Sequence, residues 1–252
     1  MTLSCKIKLC FINILLITSW PLIANTYKVI SYDPANPPHN ISTIDQQGKA
    51  TISGIFSDIF HQIGEITGDT FIMVKMPAAR AMLEFDLGRV DIEPGINPIW
   101  RNNSKEIGLY SIAYERVEEV IVFRSGDEFE VKGPRDLFGH KVGIVRGFTY
   151  PRFEASFTNN DINKVLNKSE SLLIKQLLAE RVDQIFISKS SIQYMKRHLP
   201  TLSNIVVGDV VSSVEVMMRV HPTKLELLPR LNKALQQMID NKSIEKIIAK
   251  YQ

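Results

Sequence analysis

A single stretch of the chain, residues 76–101, constrains the fold more than any other part of the sequence. It begins with a helical pattern that Pro77 opens and Gly88 ends, and a short apolar run typical of a buried strand follows. The next loop carries Arg101. Because open α/β sheets hold their ligands at the carboxyl ends of the strands, an arginine in this loop is well placed to bind a carboxylate through two parallel hydrogen bonds.

The N-terminal segment has the layout of a secretory signal peptide. Two lysines, Lys6 and Lys8, precede an almost wholly apolar run from Leu9 to Ile23, and Ala24 places a small residue at a suitable cleavage point. The alternative is an uncleaved membrane anchor, but the apolar run is shorter than the ~20 residues that span a bilayer. We therefore expect residues 1–24 to be removed and the mature protein to be periplasmic.

Cysteine content and charge exclude several kinds of chemistry. Both cysteines, Cys5 and Cys10, lie in the signal segment, so the mature chain has no disulfide, thiol nucleophile or cysteine metal site. Removing the two lysines of that segment lowers the formal net charge from +3 to +1, which argues against a nucleic-acid partner. No two of the five histidines have the spacing of a metal pair on a helix, and no catalytic motif is present, so we expect neither a metal nor a cofactor.

Strand-like and helix-like patterns alternate along the mature chain. In the first half, β-rich runs lie at residues 27–32, 71–74 and 90–92, separated by helical patterns that start near Ser53 and Pro77. This β-α-β-α-β order predicts a mostly parallel sheet with right-handed crossovers. A second half repeats the alternation, with elements expected at residues 118–124, 141–145, 172–182, 184–187, 204–207 and 214–220, and two final helices split near Asn241.

Short motifs in this order resemble those of a known family. They are the Gly88-Arg-Val-Asp91 step into a strand, the Gly95 to Arg101 loop, the Tyr110-Ser-Ile-Ala-Tyr114 segment, the Gly143 to Gly147 turn and the Leu178-Ala-Glu-Arg-Val-Asp183 step. The chain resembles the periplasmic substrate-binding proteins of ABC importers, specifically solute-binding protein family 3, which binds polar amino acids. The resemblance covers essentially all of the mature chain.

The resemblance implies an α/β protein of two β/α lobes joined by two hinge strands, the type II periplasmic binding fold, with the ligand cleft between the lobes. Residues 25–119 and 214–252 would form lobe 1, and residues 120–213 would form lobe 2. The hinge strands would lie near residues 118–121 and 213–216. Lobes of this kind close on a bound ligand.

The motifs and the resemblance together indicate which side chains contact a ligand. The loop with Arg101 would bind a carboxylate, and the turn with Thr149, interpreted as the start of a helix, would add N–H groups that attract an anion. Structural alternatives stay open, such as an exposed helix charge for Arg80, a helix cap for Thr149 and hinge packing for Tyr114. The expected ligand contacts are Arg101, Thr149, Asn97, Gly95, Asp33, Arg80, Ser188, Arg146 and Tyr114.

The chain departs from the family pattern at several positions. The family's usual aromatic rings are absent at Asn36 and Ala78, and the carboxylate-binding loop is one residue short. Ser188 stands where the resemblance implies an acid that holds the ammonium group of the ligand. Asp33 or Glu93 would have to replace that acid.

Glu93 is itself unusual, because it lies in an otherwise apolar strand. Burying an unpaired carboxylate is costly, so we expect it to pair with Arg80 or Arg101 unless it serves a ligand. Such pairing would be structural and would lower the free positive charge of the cleft.

These inferences indicate a binding function rather than an enzymatic one. We expect an exported monomer that captures a small carboxylate-bearing solute, an amino acid or a relative, and delivers it to the membrane permease of an ABC importer. One alternative is a soluble periplasmic sensor that presents its ligand to a membrane receptor. Another is a dehydratase, which would need Glu93 or His39 as its acid or base.

Overall fold

The computed structural model describes residues 24–44, 46–101 and 108–251. The expected signal peptide therefore lies outside the described residues, apart from Ala24. None of the helices in these three ranges is long and apolar enough to cross a membrane.

Strands and helices alternate through the described ranges, as the sequence predicts. The strands are β1 (Thr26–Asp33), β2 (Ile41–Ile44), β3 (Ala50–Ser53), β4 (Thr70–Pro77), β5 (Ile92–Ile96), β6 (Leu109–Tyr110), β7 (Glu115–Arg124), β8 (Lys141–Val145), β9 (Asn163–Asn167), β10 (Gln184–Ser188) and β11 (Ile205–Val220). The helices are α1 (Ile55–Thr67), α2 (Ala78–Asp86), α3 (Glu154–Thr158), α4 (Glu170–Leu178), α5 (Lys189–His198), α6 (Leu228–Asp240) and α7 (Ser243–Ala249). Short 3-10 helices lie at Pro98–Arg101, Pro134–Leu137, Pro200–Asn204 and Pro222–Leu227.

One mixed sheet runs through the molecule in the order β4-β1-β5-β11-β7-β10-β8-β9, and β6 also pairs with β11. The outer strands pair in parallel, β1 with β4 and β5 on one side and β8 with β9 and β10 on the other. The central strands β5, β11, β7 and β10 pair antiparallel. The α/β fold class expected from the sequence is confirmed, and the parallel pairs are those of its β-α-β units.

The long strands β7 and β11 join two halves of this sheet. β11 pairs with β7 from Ile205 to Val216 and with β5 from Met217 to Val220, so it contributes to both halves. The first half contains β1, β4, β5 and β6 of this sheet, the separate pair β2 and β3, and α1, α2, α6 and α7, and the second contains β8 to β10 with α3, α4 and α5. The hinge segments expected at residues 118–121 and 213–216 lie within β7 and β11, while the residue boundaries of the lobes remain predictions.

Each half buries its own apolar core. In the first half, Ile55, Ile59 and Ile63 recur one turn apart on α1 and are fully buried against β1, β11 and α6. In the second half, Phe186 in β10 is fully buried, and its ring centre lies 5.0 Å from that of Tyr150. Residues of β7 and β10 pack in the core of the second half. The polar side chains described below lie at the start of β7 and at the end of β10.

The structure contains strands that the sequence patterns did not reveal. β2 and β3 form a hairpin of four-residue strands with little hydrophobic alternation, and β9 pairs with β8 at the edge of the sheet. The two strands expected at residues 204–207 and 214–220 are parts of one strand, β11. The apolar pattern of β11 breaks at Gly208 and Asp209. The register with β7 shifts on both sides of Val210, and the pairing continues beyond these bulges.

Candidate functional site

Arg101, the residue predicted to bind a ligand carboxylate, binds a carboxylate of the chain itself. Its Nε and Nη2 atoms lie 3.2 and 2.6 Å from the two oxygens of Glu93, and both side chains are buried. Nη1 donates to the carbonyl oxygen of Trp100 at 3.0 Å, and Nη2 also donates to the hydroxyl of Tyr32 at 3.2 Å. The expectation that Glu93 pairs with an arginine is therefore confirmed, with Arg101 as the partner.

A second arginine completes this buried network. Arg219 of β11 is fully buried, and its Nη1 lies 2.8 Å from Oε2 of Glu93. Its guanidinium carbon lies 3.8 Å from the ring centre of Phe85, and its Nη2 lies 4.0 Å from Asp86. Guanidinium planes stack favourably on aromatic faces. Glu93 thus holds together two arginines that are distant from each other in the chain.

The network fixes the charges of its members. Burial alone raises the pKa of Glu93, but the hydrogen bonds and the positive charge of Arg101 outweigh it and hold that pKa below its usual range. Burial and the charge of Glu93 raise the pKa of the Tyr32 hydroxyl, which also hydrogen-bonds Glu93. Four of the five N–H donors of Arg101 are engaged within the chain, so a ligand carboxylate cannot form two parallel hydrogen bonds to Arg101 without displacing one of these acceptors.

The two other residues of the predicted carboxylate loop have structural contacts. Asn97 donates through Nδ2 to the carbonyl oxygen of Glu215 at 2.8 Å, and its Oδ1 accepts from the N–H of Ile99 at 3.0 Å. Gly95 has a φ of +68°, and a Cβ at this position would lie 2.5 Å from the ring of Phe56. Both residues shape the turn after β5, and their ligand contacts stay predictions.

Two further predicted contacts lie on the surface in ion pairs. Asp33 at the end of β1 lies 3.2 Å from Nζ of Lys75 on β4. Arg80 on α2 is largely exposed and lies 3.7 Å from Glu84 one turn further along the helix. This matches the exposed helix charge considered as the alternative for Arg80. Pairs of this kind are weak in water, so neither charge is locked in place.

The turn predicted to bind an anion in the second half does not start a helix. Residues 146–147 form a turn after β8, but α3 begins only at Glu154, so the expected helix start at Thr149 is wrong. The reason is that Tyr150 is buried in the aromatic core and its carbonyl oxygen accepts the N–H of Glu154, which adds a further turn before the helix. Thr149 is half-buried and Arg146 is exposed.

Ser188 ends β10 beside an acid that sequence reasoning did not consider. Its N–H donates at 3.0 Å to Oε1 of Glu170, the first residue of α4. The hydroxyl of Ser188 lies 2.9 Å from that of Ser190. Glu170 is 4% exposed, and the hydroxyl of the buried Ser191 also acts on its carboxylate. A carboxylate therefore does stand beside position 188, but a different helix supplies it.

A second carboxylate lies across the sheet from Ser188. The antiparallel pairing of β7 with β10 places Glu119 opposite Ser188, and the hydroxyl of Tyr150 donates to Oε2 of Glu119 at 3.3 Å. Burial, and then the charge of Glu170, raises the pKa of Glu119 well above its usual range. Burial also raises the pKa of Glu170, although hydrogen bonds from the hydroxyl of Ser191 and the N–H of Ser188, and then the charge of His39, oppose the rise.

The first half contributes a buried histidine to the same region. His39 lies in the loop after β1, and its Nε2 is 3.0 Å from Oε1 of Glu115 at the start of β7. Burial lowers the pKa of His39, but the charge and hydrogen bond of Glu115 and then the charge of Glu170 outweigh it and raise the pKa. His39 and Glu170 thus act on each other across the two halves. We call His39, Glu115, Glu119, Tyr150 and Glu170 the interlobe cluster.

A cavity of about 540 Å³ lies beside the start of β7, bounded by α5, α6 and α7. Its volume is within the range of small-molecule sites. We call it the hinge cavity, because residues 114–118 at the start of β7 line it. Tyr114, a predicted ligand contact, is buried in the core of the first half and is one of these lining residues. Lys189 also lines it, with Nζ 2.6 Å from Oε2 of Glu118. Glu115 borders both the hinge cavity and the interlobe cluster, so the two regions adjoin.

Sequence reasoning missed Glu119 and Glu170 for understandable reasons. Glu170 follows the helix cap Ser169, a place where acids are common simply because they suit a helix start. Glu119 borders an apolar run and resembles the polar edge of a strand. Strand alternation, which puts Glu115 and Glu119 on one face of β7, is the signal that could have grouped two of these acids.

The chain belongs to a family of binding proteins. The model of the bacterial extracellular solute-binding proteins, family 3, matches residues 29–252. The chain is therefore a member of this family, as the resemblance of its motifs indicated. This is a family of solute-binding proteins and not of enzymes, and the chain is accordingly a binding protein. No curated protein matches it in sequence.

Solved structures of similar fold share this architecture. An ancestral arginine-binding protein bound to arginine aligns with a TM-score of 0.73 at 22% identity, covering 90% of this chain and 97% of that chain. A histidine kinase sensor domain with similarity to periplasmic binding proteins aligns with a TM-score of 0.74 at 24% identity, covering 90% and 95%. AbpA, an amino acid ABC transporter substrate-binding protein from Streptococcus pneumoniae bound to L-arginine, aligns with a TM-score of 0.73 at 16% identity, covering 90% and 94%. At these identities the likeness establishes the fold alone.

Proposed function

We propose that this chain is an exported solute-binding protein that captures a small amino-acid-like solute between its two halves and delivers it to the membrane permease of an ABC importer. One observation carries the proposal. Polar side chains from both halves converge in the interlobe cluster, where buried charges of one half act on those of the other. Two-lobed proteins use such a place to close on a ligand. Membership of an extracellular solute-binding family supports export and small-molecule binding.

A carboxylate on the solute remains an expectation from the sequence. Arg101 already binds Glu93 at both carboxylate oxygens, so a ligand carboxylate must compete with a buried acid. The cations Arg80 and Arg146 are exposed, so a ligand carboxylate could bind them without displacing a buried acid. The protein could therefore also bind a solute that has no carboxylate and is held by other polar groups.

A sensor that presents its ligand to a membrane receptor is the second candidate function. The observation that favours it is the likeness to a histidine kinase sensor domain at 24% identity over 90% of this chain. The neighbouring genes separate the two functions. A permease and an ATPase indicate import, whereas a kinase or a cyclase indicates sensing.

Thermal unfolding against a panel of solutes tests whether the protein captures a small molecule. We expect at least one amino acid, organic acid, polyamine or small peptide to raise the unfolding temperature of the mature protein. A ligand at 100 times its Kd stabilises the folded state by about 2.7 kcal/mol. For a chain of this size that corresponds to a rise of about 5–10 °C. An unchanged unfolding temperature with every solute at millimolar concentration would contradict solute capture.

A further inference from the structure

Arg101, the residue expected to clamp the carboxylate of a solute, has both edges of its guanidinium group engaged by the chain itself. On one edge, Nε and Nη2 lie 3.2 and 2.6 Å from the two oxygens of Glu93. On the other edge, Nη1 donates to the carbonyl oxygen of Trp100 at 3.0 Å and Nη2 donates to the hydroxyl of Tyr32 at 3.2 Å. A bidentate clamp needs two neighbouring N–H groups on one edge. Neither edge of Arg101 offers such a pair to a solute.

The turn after β5 holds Arg101 in this position. The N–H of Trp100 donates to the carbonyl oxygen of Asn97 at 3.0 Å, within the turn that leads into the 3-10 helix Pro98–Arg101. Arg101 ends this helix and is buried against Glu93, with only 6% of the residue exposed. The loop is one residue shorter than the resemblance implies, which fits an arginine drawn back onto β5.

Exchange of Glu93 for a solute carboxylate would give a net loss of contacts. Glu93 also binds Arg219, whose Nη1 lies 2.8 Å from Oε2, and all three side chains are buried. A solute carboxylate that displaced Glu93 would restore two hydrogen bonds to Arg101. It would also leave the buried charge of Glu93 with Arg219 as its remaining arginine, and such a charge is costly in a dry environment.

The second place expected to bind an anion is also satisfied by the chain. In the turn after β8, the N–H groups of Arg146 and Phe148 donate to backbone carbonyl oxygens of β9 and β8 at 2.8 and 3.1 Å. The N–H of Tyr150 donates to Oε1 of Glu154 at 3.1 Å, so a side-chain carboxylate is again the acceptor. N–H groups that already donate in this way do not form the free cluster that attracts an anion.

We propose that Glu93 is a specificity-determining residue that takes the place of the solute's carboxylate at Arg101, and that the solute of this protein has no free carboxylate. The inference rests on the proposed function and names the class of its solute, a small polar molecule such as an amide or an amine. A solute whose carboxyl group is absent or amidated makes no demand on Arg101. Its affinity comes from its other groups.

The interlobe cluster suits a solute of this class. The only basic side chain of the cluster, His39, is engaged by Glu115 at 3.0 Å. A carboxylate placed between the halves would meet the acids Glu119 and Glu170, which lie on either side of Ser188. Bringing a further carboxylate to these acids costs free energy, because like charges repel or must take up protons. A neutral amide avoids this cost.

Exposed cations can add only a small preference for a carboxylate. Arg80 lies on the surface 3.7 Å from Glu84, and Arg146 is exposed in the turn after β8. Water and salt screen pairs between exposed charges. Such a pair changes affinity by about fivefold at most, whereas a bidentate arginine clamp contributes roughly 30-fold or more.

Calorimetric titration with matched pairs of probes tests this class of solute. L-Glutamine and L-glutaminamide differ only in the carboxylate, which is an amide in the second, and L-arginine and L-argininamide differ in the same way. We expect each amide to bind the mature protein within about fivefold of its acid, or more tightly than the acid. A larger preference for the acid in either pair would overturn the proposal.

If neither pair binds, the solute of the thermal panel that raises the unfolding temperature most takes their place. A solute without a carboxylate, or an acid whose amide binds within the same limit, would support the proposal. An acid whose amide binds more weakly than this limit would overturn it and leave solute capture intact. A panel in which no solute raises the unfolding temperature would reject the proposed function together with this inference.

Replacing Glu93 with glutamine tests whether this residue is responsible. Glu93→Gln keeps the size of the side chain and removes its charge, so a solute carboxylate can compete for Arg101. For the probe pair that binds the wild type, we expect the affinity of the acid relative to its amide to rise about tenfold or more. Both members of a pair bind the same folded variant, so a loss of stability alone does not change this ratio.

Glu65→Gln provides a matched control on the surface of α1. Glu65 lies 3.6 Å from His61, and both side chains are largely exposed. We expect the ratio of acid to amide affinity to stay within about twofold of the wild type. An unchanged ratio in a folded Glu93→Gln variant as well would overturn the role of Glu93.

Arg101→Lys keeps the proposal falsifiable if circular dichroism shows that Glu93→Gln does not fold. Lysine retains a positive charge beside Glu93 but lacks the planar fork that clamps a carboxylate. We expect any change in affinity to be the same for the acid and its amide, within about twofold. A loss confined to the acid would show that Arg101 binds the solute's carboxylate and would overturn the proposal.

Discussion

Replacing Glu93 with glutamine is expected to lower the free energy of unfolding by about 3–5 kcal/mol. Glu93 accepts from Arg101 through both oxygens and from Arg219 at 2.8 Å, and all three side chains are buried. Glutamine keeps the shape and removes the charge, so both guanidinium groups lose their main counter-charge in a dry environment. Urea unfolding followed by circular dichroism measures the loss as a lower denaturation midpoint.

Glu84→Gln is the matched control for this variant. Glu84 also lies between two arginines, Arg80 and Arg89, but each is 3.7 Å away and largely exposed. We expect its replacement to cost less than about 1 kcal/mol. Equal costs for the two variants would show that the network around Glu93 does not hold β5 and β11 together, and Arg101 would again be free to serve a ligand carboxylate.

Truncating Phe186 to alanine is expected to lower the free energy of unfolding by about 3–5 kcal/mol. The ring is fully buried in β10, and the ring centres of Tyr150 and Phe153 lie 5.0 and 4.9 Å away in edge-to-face arrangements. Its removal leaves a cavity beside Tyr150, whose hydroxyl donates to Glu119. Urea unfolding again measures the change.

Phe148→Ala serves as the control for aromatic truncation in the same half. Phe148 is 40% exposed and lies in the turn after β8, so we expect a cost well below that of Phe186→Ala, about 1 kcal/mol or less. A cost for Phe186→Ala as small as that of the control would mean that the aromatic core does not support the second half of the interlobe cluster.

The order of strands and helices could be predicted because its signals are local. Isoleucines one turn apart indicated α1, and Gly68 indicated its end, where the structure has a φ of +77° and an N–H that donates to Gly64. The helix start predicted at Thr149 is wrong because the structure there depends on a contact that is distant in sequence. Tyr150 is buried against Phe186 from β10, and no local pattern reveals such a tertiary contact.

The candidate site could be predicted only where its partners are close in sequence. An acid in an apolar strand indicated a buried partner for Glu93, and Arg101 lies just 8 residues away. Arg219 lies 126 residues away, and only the register of β5 with β11 places it opposite Glu93. Glu119 meets Ser188 through the register of β7 with β10, which the sequence does not specify in advance.

Solute capture between the two halves is tested most directly by amide hydrogen exchange of the mature protein, with and without the solute that raises its unfolding temperature most. We expect slower exchange in both halves at once, in the loop at residues 33–40 and around Glu170 and Ser188. These segments hold His39 and Glu170, whose charges act on each other across the two halves. Slower exchange confined to one half, or no slowing with any solute of the panel, would contradict capture between the lobes.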